Sequence, residues 1–303
     1  MARPKRSSGR RGGTTAPPSP RSGAEPPAWL PAAVAIAGAL ALLAFQLFRH
    51  HTPLYGVETD LIGDLIPAAK ALRAGHIEAT HYEFKGPGYP LLLAAAGAVV
   101  RDDWLAARLL NVACAAVGAW LASRIAARFL GVWSGVFVAC GLFVNPTWVL
   151  AGIEAGTDMP AFALSMAATD LALRARRPAT WGSAGLLASA AILTRHSAVS
   201  LVPAALNAGI ASHRREPGTR AWASLVPYAA GVALPLLAWT IIGQIATGGA
   251  MHNRNYLNVA FDIYARNATW DGFWVDAGQR FHSWLDVLTL DPARVANVLG
   301  SNA

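Results

Sequence analysis

The feature that most constrains this chain is a repeated one. Long apolar runs recur from Trp29 to Gly243, beginning with the 20 residues Trp29 to Phe48. About 20 apolar residues are what a helix needs to cross a bilayer. A hydrocarbon core offers backbone amides and carbonyls no partner, so spanning segments must satisfy their own backbone, as helices do. The expected class is therefore all-α, a polytopic integral membrane protein. Composition agrees. Charged residues make up 14% of the chain and hydrophobic residues 54%, against about 25% charged in an ordinary soluble domain.

The net charge of +8 does not indicate nucleic acid. Met1 to Pro27 holds six basic residues against one acid (Glu25), so +5 of the +8 lies in that tail. The tail is rich in Pro, Gly, Ser, Thr and Arg, a composition expected to be disordered, and its charge is expected to hold it in the cytoplasm. No small-x-small cleavage pattern follows the first apolar run, so an uncleaved helix is preferred over a signal peptide. Cys114 and Cys140 both lie in apolar runs and read as small buried hydrophobes rather than a disulfide or metal pair.

Basic loops set the orientation. Arg124 with Arg128, then Arg174 with Arg176 and Arg177, then His213 with Arg214, Arg215 and Arg220 form three clusters that the positive-inside rule assigns to the cytoplasm. The runs 156–173, 181–194, 197–211 and 222–243 then alternate properly, with Asp158, Arg195 and everything after Gly243 outside. Parity requires one earlier run not to cross. The weakest is 87–100, with 14 residues opened by Pro87, Gly88 and Pro90, which suits a re-entrant or interfacial piece. Seven crossings are expected. The chain divides into a tail (1–28), a membrane module (29–243) whose first outer loop covers about 49–86, and an outer segment (244–303). In that last segment Trp270, Trp274 and Trp284 suit core packing or an interfacial belt better than sugar stacking.

This orientation gathers the ionisable residues on one face. Glu58, Asp60 and Asp64, then Glu83 and Lys85, then Asp158, then Arg195 and His196 all stand at outer ends of apolar runs. Carboxylates facing a lysine and an arginine suggest deprotonation of a hydroxyl, or binding of a divalent metal, with the cations holding a departing phosphate. Plainer readings stand beside this one. Asp60 and Asp64 share one side of a helical turn and could be a solvated face, Asp158 before Pro160 is a good helix start, and Arg195 could anchor a turn. His76 and His81 lack metal-like spacing and read as surface residues.

The order of these segments resembles a known family. Thr59-Asp60 after a first membrane helix is followed by Ala68 to Gly75, then by Lys85-Gly86-Pro87-Gly88-Tyr89-Pro90-Leu91-Leu92-Leu93. Asn145-Pro146, Gly156 to Pro160 and Gly185 to Arg195 follow in order. Together, over Trp29 to Gly243, they resemble the GT-C membrane glycosyltransferases, nearest the protein O-mannosyltransferase and aminoarabinose transferase branch. The resemblance implies an outer-face site that takes a sugar from a polyprenyl-phosphate carrier and inverts the anomeric carbon in one displacement. It implies Asp60 as general base, Asp158 as a second catalytic acid, and Lys85 and Arg195 as contacts of the lipid phosphate. Glu58, Glu83 and His196 complete the expected substrate-binding set.

Two departures stand out. Glu58 and Asp60 are separated by Thr59 where many members carry adjacent acids, and Leu61, Ile62 and Gly63 follow Asp60 where some carry a basic residue. Family chains usually run longer, so a fragment or a truncated product is expected. The resulting expectation is a multi-pass transferase of the plasma (inner) membrane with a cytoplasmic N-terminus. Its partners are a polyprenyl-phosphate sugar and the bilayer, with no nucleic acid. Donor sugar and acceptor stay open, as does a divalent metal. The competing expectations are a transporter or lipid-carrier flippase, and an inactive remnant of the same fold.

Overall fold

A computed structural model describes residues 26–49, 58–200, 202–204, 206–207, 222–265 and 269–301. The reading of the tail up to Glu25, and those of Tyr55 to Val57, of positions 201, 205 and 208–211 in run 197–211 and of the basic cluster His213 to Arg220, lie outside the described residues. Among the described residues the chain is helical throughout and forms no strand, as the apolar runs require.

The elements in order are α1 (Leu30–Arg49), a π-helical turn (Leu61–Leu65), α2 (Ile66–Arg73), a 3-10 turn (Ala79–Tyr82), α3 (Gly88–Val100) and α4 (Asp103–Leu130). Then come α5 (Val132–Val144), α6 (Pro146–Ile153), α7 (Asp158–Arg174), α8 (Pro178–Thr194), a 3-10 turn (His196–Ser200) and α9 (Trp222–Ala246). Four short helices follow: α10 (Tyr256–Tyr264), α11 (Trp270–Arg280), α12 (Trp284–Leu290) and α13 (Pro292–Ser301).

Helix α4 is the centre of the bundle. It packs on α1, α3, α5, α6 and α7, while α7 packs on α8 and α8 on α9. The interface is rich in alanine, with a few larger side chains filling between. Ala35, Ala39, Leu42, Val112, Ala115, Ala119, Trp148 and Met159 form one core cluster. Where the solvent is lipid, close backbone approach replaces the hydrophobic effect as the source of packing energy. The α8–α9 crossing uses this fully: a Cβ at Gly185 would collide with Tyr228 O, and one at Gly231 with Gly182 O.

Among the described residues three helices are long and apolar enough to cross a membrane, namely Leu30–Arg49, Asp103–Leu130 and Ser224–Ala246. A fourth span results if α5 and α6, bent by 67°, count as one. Pro146 stands at the start of α6, and Asn145 caps that helix by accepting the Trp148 N–H at 3.2 Å. The single run read at 131–150 is thus a broken one, because Pro146 cannot continue the hydrogen-bond ladder of α5.

The contacts fix which helix ends lie together. Glu58, Asp103, Ala155, Asp158 and Thr194 cluster at one end of the bundle; Arg124, Asp170 and Arg174 meet at the other. Helix α3 starts against Thr194 and returns the chain to Asp103, where Arg73 reaches from α2. It is a single apolar helix of 13 residues, shorter than a spanning segment needs.

Candidate active site

Three chain segments meet at the first of these ends. The segment 58–65 is pinned from below. Glu58 is 2% exposed and its Oε1 accepts the Ala155 N–H at 2.8 Å. Leu61 and Leu65 are buried with Tyr89, Leu93, Ala106 and Ala107. Burying those two leucines turns Asp60 and Asp64 outward. Lys85 Nζ then sits between them, 3.1 Å from Asp60 Oδ1 and 2.7 Å from Asp64 Oδ2. The side chains are unequal in exposure: 70% for Asp60, 40% for Asp64 and 18% for Lys85. Asp64 is the closer anchor, and Asp60 is the carboxylate open to an incoming molecule. Behind Asp64 stands His81, 3.7 Å from its Oδ1, with Glu78 Oε2 3.2 Å from the other ring nitrogen.

The Lys85 loop is pressed on the end of α8. A Cβ on Gly86 would collide with Leu193 O, and one on Gly88 with the Thr194 backbone and hydroxyl. Glycine is what lets backbone touch backbone here. The contact brings Lys85 alongside the residue that follows Thr194. Arg195 Nη1 lies 2.7 Å from Asp158 Oδ1 and donates to Thr157 Oγ1 at 3.3 Å. Asp158 opens α7 with Pro160 in its first turn, where the helix dipole favours an anion.

The segment after α9 closes the third side. The Arg254 N–H donates to Glu83 O at 2.7 Å, Arg254 Nη1 lies 3.6 Å from Glu83 Oε2, and Asn255 Nδ2 donates to Phe84 O at 3.1 Å. Phe84 is held edge-on by Trp270 and Trp274, with centroids at 6.1 and 5.2 Å. These two tryptophans pack as core, while Trp284 is half-exposed against Tyr256. His196 lies under the same strap, 3.4 Å from Asn255 Nδ2. Burial lowers its pKa, opposed in part by its hydrogen bond with the Phe84 backbone. Tyr82, edge-on to Trp239 at 5.0 Å, has its phenol pushed up to about 12 by burial and by Glu78.

The structure therefore brings Asp60 and Lys85 into one ion-paired group, and Asp158 and Arg195 into a second, on loops that touch. Glu58 is turned into the protein onto Ala155, and Glu83 faces the Arg254 strap. Asp64, placed by its spacing on the same side of a turn as Asp60, shares Lys85 with it. His81, read as a surface residue, and Arg254 and Asn255 join the site through contacts that no local spacing announces. A divalent metal fits poorly here. The Lys85 ammonium takes the place between Asp60 and Asp64, and among the described residues no group of three His, Cys, Asp or Glu side chains is arranged to hold a metal ion.

Chemically, each cation holds a carboxylate on a half-open surface. Such pairs contribute only about 0–1 kcal/mol, so a phosphate can compete for either cation and free its carboxylate.

Residues 84–241 match the dolichyl-phosphate-mannose-protein mannosyltransferase family. The match covers 158 of 303 residues, and the chain belongs to this family of GT-C glycosyltransferases. Lys85, Asp158, Arg195 and His196 lie inside the matched range; Glu58, Asp60, Asp64 and Glu83 precede it. Comparison with curated proteins and with solved structures gave no match.

Proposed function

We propose that this chain transfers a sugar from a polyprenyl-phosphate carrier to an acceptor hydroxyl on the outer face of the membrane, inverting the anomeric carbon. The observation that carries the reading is the juxtaposition of two carboxylate–cation pairs, Asp60–Lys85 and Asp158–Arg195, on loops in backbone contact. The donor phosphate draws Lys85 and Arg195 to its oxygens. Asp64 keeps Lys85 in place, and Asp60 is released to accept a hydrogen bond from the acceptor hydroxyl. The acceptor oxygen attacks the anomeric carbon as the bond to the phosphate oxygen breaks. The electron pair leaves on the phosphate, where the two cations stabilise it, and the hydroxyl proton passes to Asp60. One displacement inverts the centre. Asp158 holds Arg195 in reach of the phosphate.

The sidedness rests on charge. Arg124, Arg128, Arg174, Arg176 and Arg177 belong to the end opposite the site, and the positive-inside rule assigns such an end to the cytoplasm.

The test uses the purified full chain in proteoliposomes with a panel of polyprenyl-phosphate sugars. Release of free polyprenyl phosphate by the native chain, lost in Asp60→Asn, is the expected result. A folded native chain that releases none from any donor would overturn the reading.

A further inference from the structure

The segment just before Asp158 is held in an unusual way. Helix α6 ends at Ile153, and the last carbonyls of a helix have no partner within it. Leu150 O is taken by the Glu154 N–H at 2.8 Å. The carbonyls that follow are met by buried side chains from distant helices. Asn111 Nδ2 of α4 lies 3.0 Å from Ala151 O, 2.9 Å from Gly152 O and 3.0 Å from Glu154 O. Gln46 Nε2 of α1 lies 2.8 Å from Gly152 O and 3.1 Å from Ile153 O. Glu58 then takes the Ala155 N–H. Six contacts from three side chains thus fall on five consecutive residues, 151–155. Asn111 and Gln46 are fully buried. The Gln46 carbonyl is itself held by Arg108 Nη1 at 2.8 Å, so the frame extends one layer deeper into α4.

Buried amides are costly unless bonded, and an ordinary helix stop needs no such frame; a glycine in left-handed conformation suffices. What the frame fixes is the next stretch of chain. Only Gly156 and Thr157 separate Ala155 from Asp158, and Thr157 and Asp158 both contact Arg195. Asn111 and Gln46 touch neither Asp158 nor Arg195, so their action on the site runs through backbone.

We infer that Asn111 and Gln46 are positioning residues: they clamp the α6–α7 turn and so set where the Asp158–Arg195 pair meets the donor phosphate. The catalytic part of this inference rests on the transferase reading above. Displacement of a binding group by about 1 Å costs up to about 100-fold.

The experiment compares Asn111→Leu, which keeps bulk and removes both donors, with the native full chain in proteoliposomes. Hydrogen–deuterium exchange is read first. Amides of residues 155–158 should exchange faster in Asn111→Leu, with those of 165–174 unchanged. Unchanged protection at 155–158, or protection lost evenly along α7, would overturn the inference. This readout holds even if the native chain turns over no donor, an outcome that sinks the transferase reading alone. The second readout is a double-mutant cycle on release of polyprenyl phosphate. Asn111→Leu alone should lower kcat/KM for the donor by about 10- to 100-fold, and should cost less than about 3-fold when Asp158→Asn is already present. Losses that multiply in full would show that Asn111 does not act through Asp158, and would also overturn the inference. Should Asn111→Leu not fold, Gln46→Leu removes only the bonds to Gly152 and Ile153, and must shift the same amides in the same direction by less.

Discussion

The two ends of the bundle use the same chemical groups to opposite effect. At one end Asp60, Asp64 and Asp158 pair with Lys85 and Arg195 while keeping 40–70% of their side-chain surface exposed. At the other, Asp170 is 4% exposed and is gripped by Arg124, at 3.1 Å, and by Arg174, which also donates to its carbonyl. Trp120 lies under the Arg124 guanidinium at 5.2 Å. The open pairs can exchange partners with a substrate. The closed one cannot without losing desolvation already spent, so it ties α4 to α7 as structure. Exposure, rather than the presence of an acid and a base, separates a site from a strut.

The largest effect that would sharpen this contrast is on turnover. Asp60→Asn removes the proposed base at an exposed position, and general-base catalysis contributes about 10²–10⁴-fold. Donor turnover should fall by that range while the melting temperature stays unchanged, as measured side by side in detergent. A comparable melting loss would break the contrast, because Asp60 would then be a strut as well.

Next comes stability at the far end. Asp170→Asn leaves Arg124 and Arg174 without their buried carboxylate. Because the two arginines keep 36% and 45% of their side-chain surface exposed, the cost should fall below about 3–5 kcal/mol, that of a fully buried pair, but above about 1 kcal/mol, that of an open one. Thermal unfolding should show it as a large drop. The same substitution at the open end, Asp158→Asn, should cost no more than about 1 kcal/mol while reducing turnover. Equal losses at the two ends would mean that exposure does not distinguish them.

Gly86→Ala tests the contact that joins the two open pairs. Its Cβ would collide with Leu193 O, so the loop must lift from α8, and Lys85 moves away from Arg195. We expect donor KM to rise by about 10-fold with only a modest loss of stability. Unchanged KM would show that the two cations act independently.

Much of this arrangement could be read before the structure. Apolar runs are long, so helices α1, α4 and α9 announce themselves, and the short, proline-opened α3 announces that it is too short to span like them. Asp60, Lys85, Asp158 and Arg195 stand at run ends, where a charge beside hydrocarbon is conspicuous. The frame of Gln46, Arg108 and Asn111 was not legible. A single amide inside an apolar run looks like a tolerated defect until the carbonyls it serves, about 40 and 100 positions away, are brought to it. Asp170 escaped notice for the same reason: its neighbour Arg174 reads as a surface arginine at a helix end, and Arg124 lies on another helix. The break at Asn145-Pro146 was visible as a dipeptide, but its angle depends on what α6 packs against.

The smallest effect is a dependence on pH, and its sign follows from burial. His196 is held beneath the Asn255–Phe84 strap with its pKa lowered by desolvation, below the value of about 6.5 for a free imidazole. Between the folded and unfolded values the unfolded chain binds the extra proton, so stability rises with pH in that window and is flat above it. Acidification through about pH 6.5 should therefore loosen the strap, measured as faster hydrogen–deuterium exchange at residues 254–257. His196→Gln, which cannot titrate, should abolish that acid sensitivity and leave the exchange pattern at neutral pH unchanged. A strap that loosens equally with acid in His196→Gln would show that the buried ring does not hold it closed.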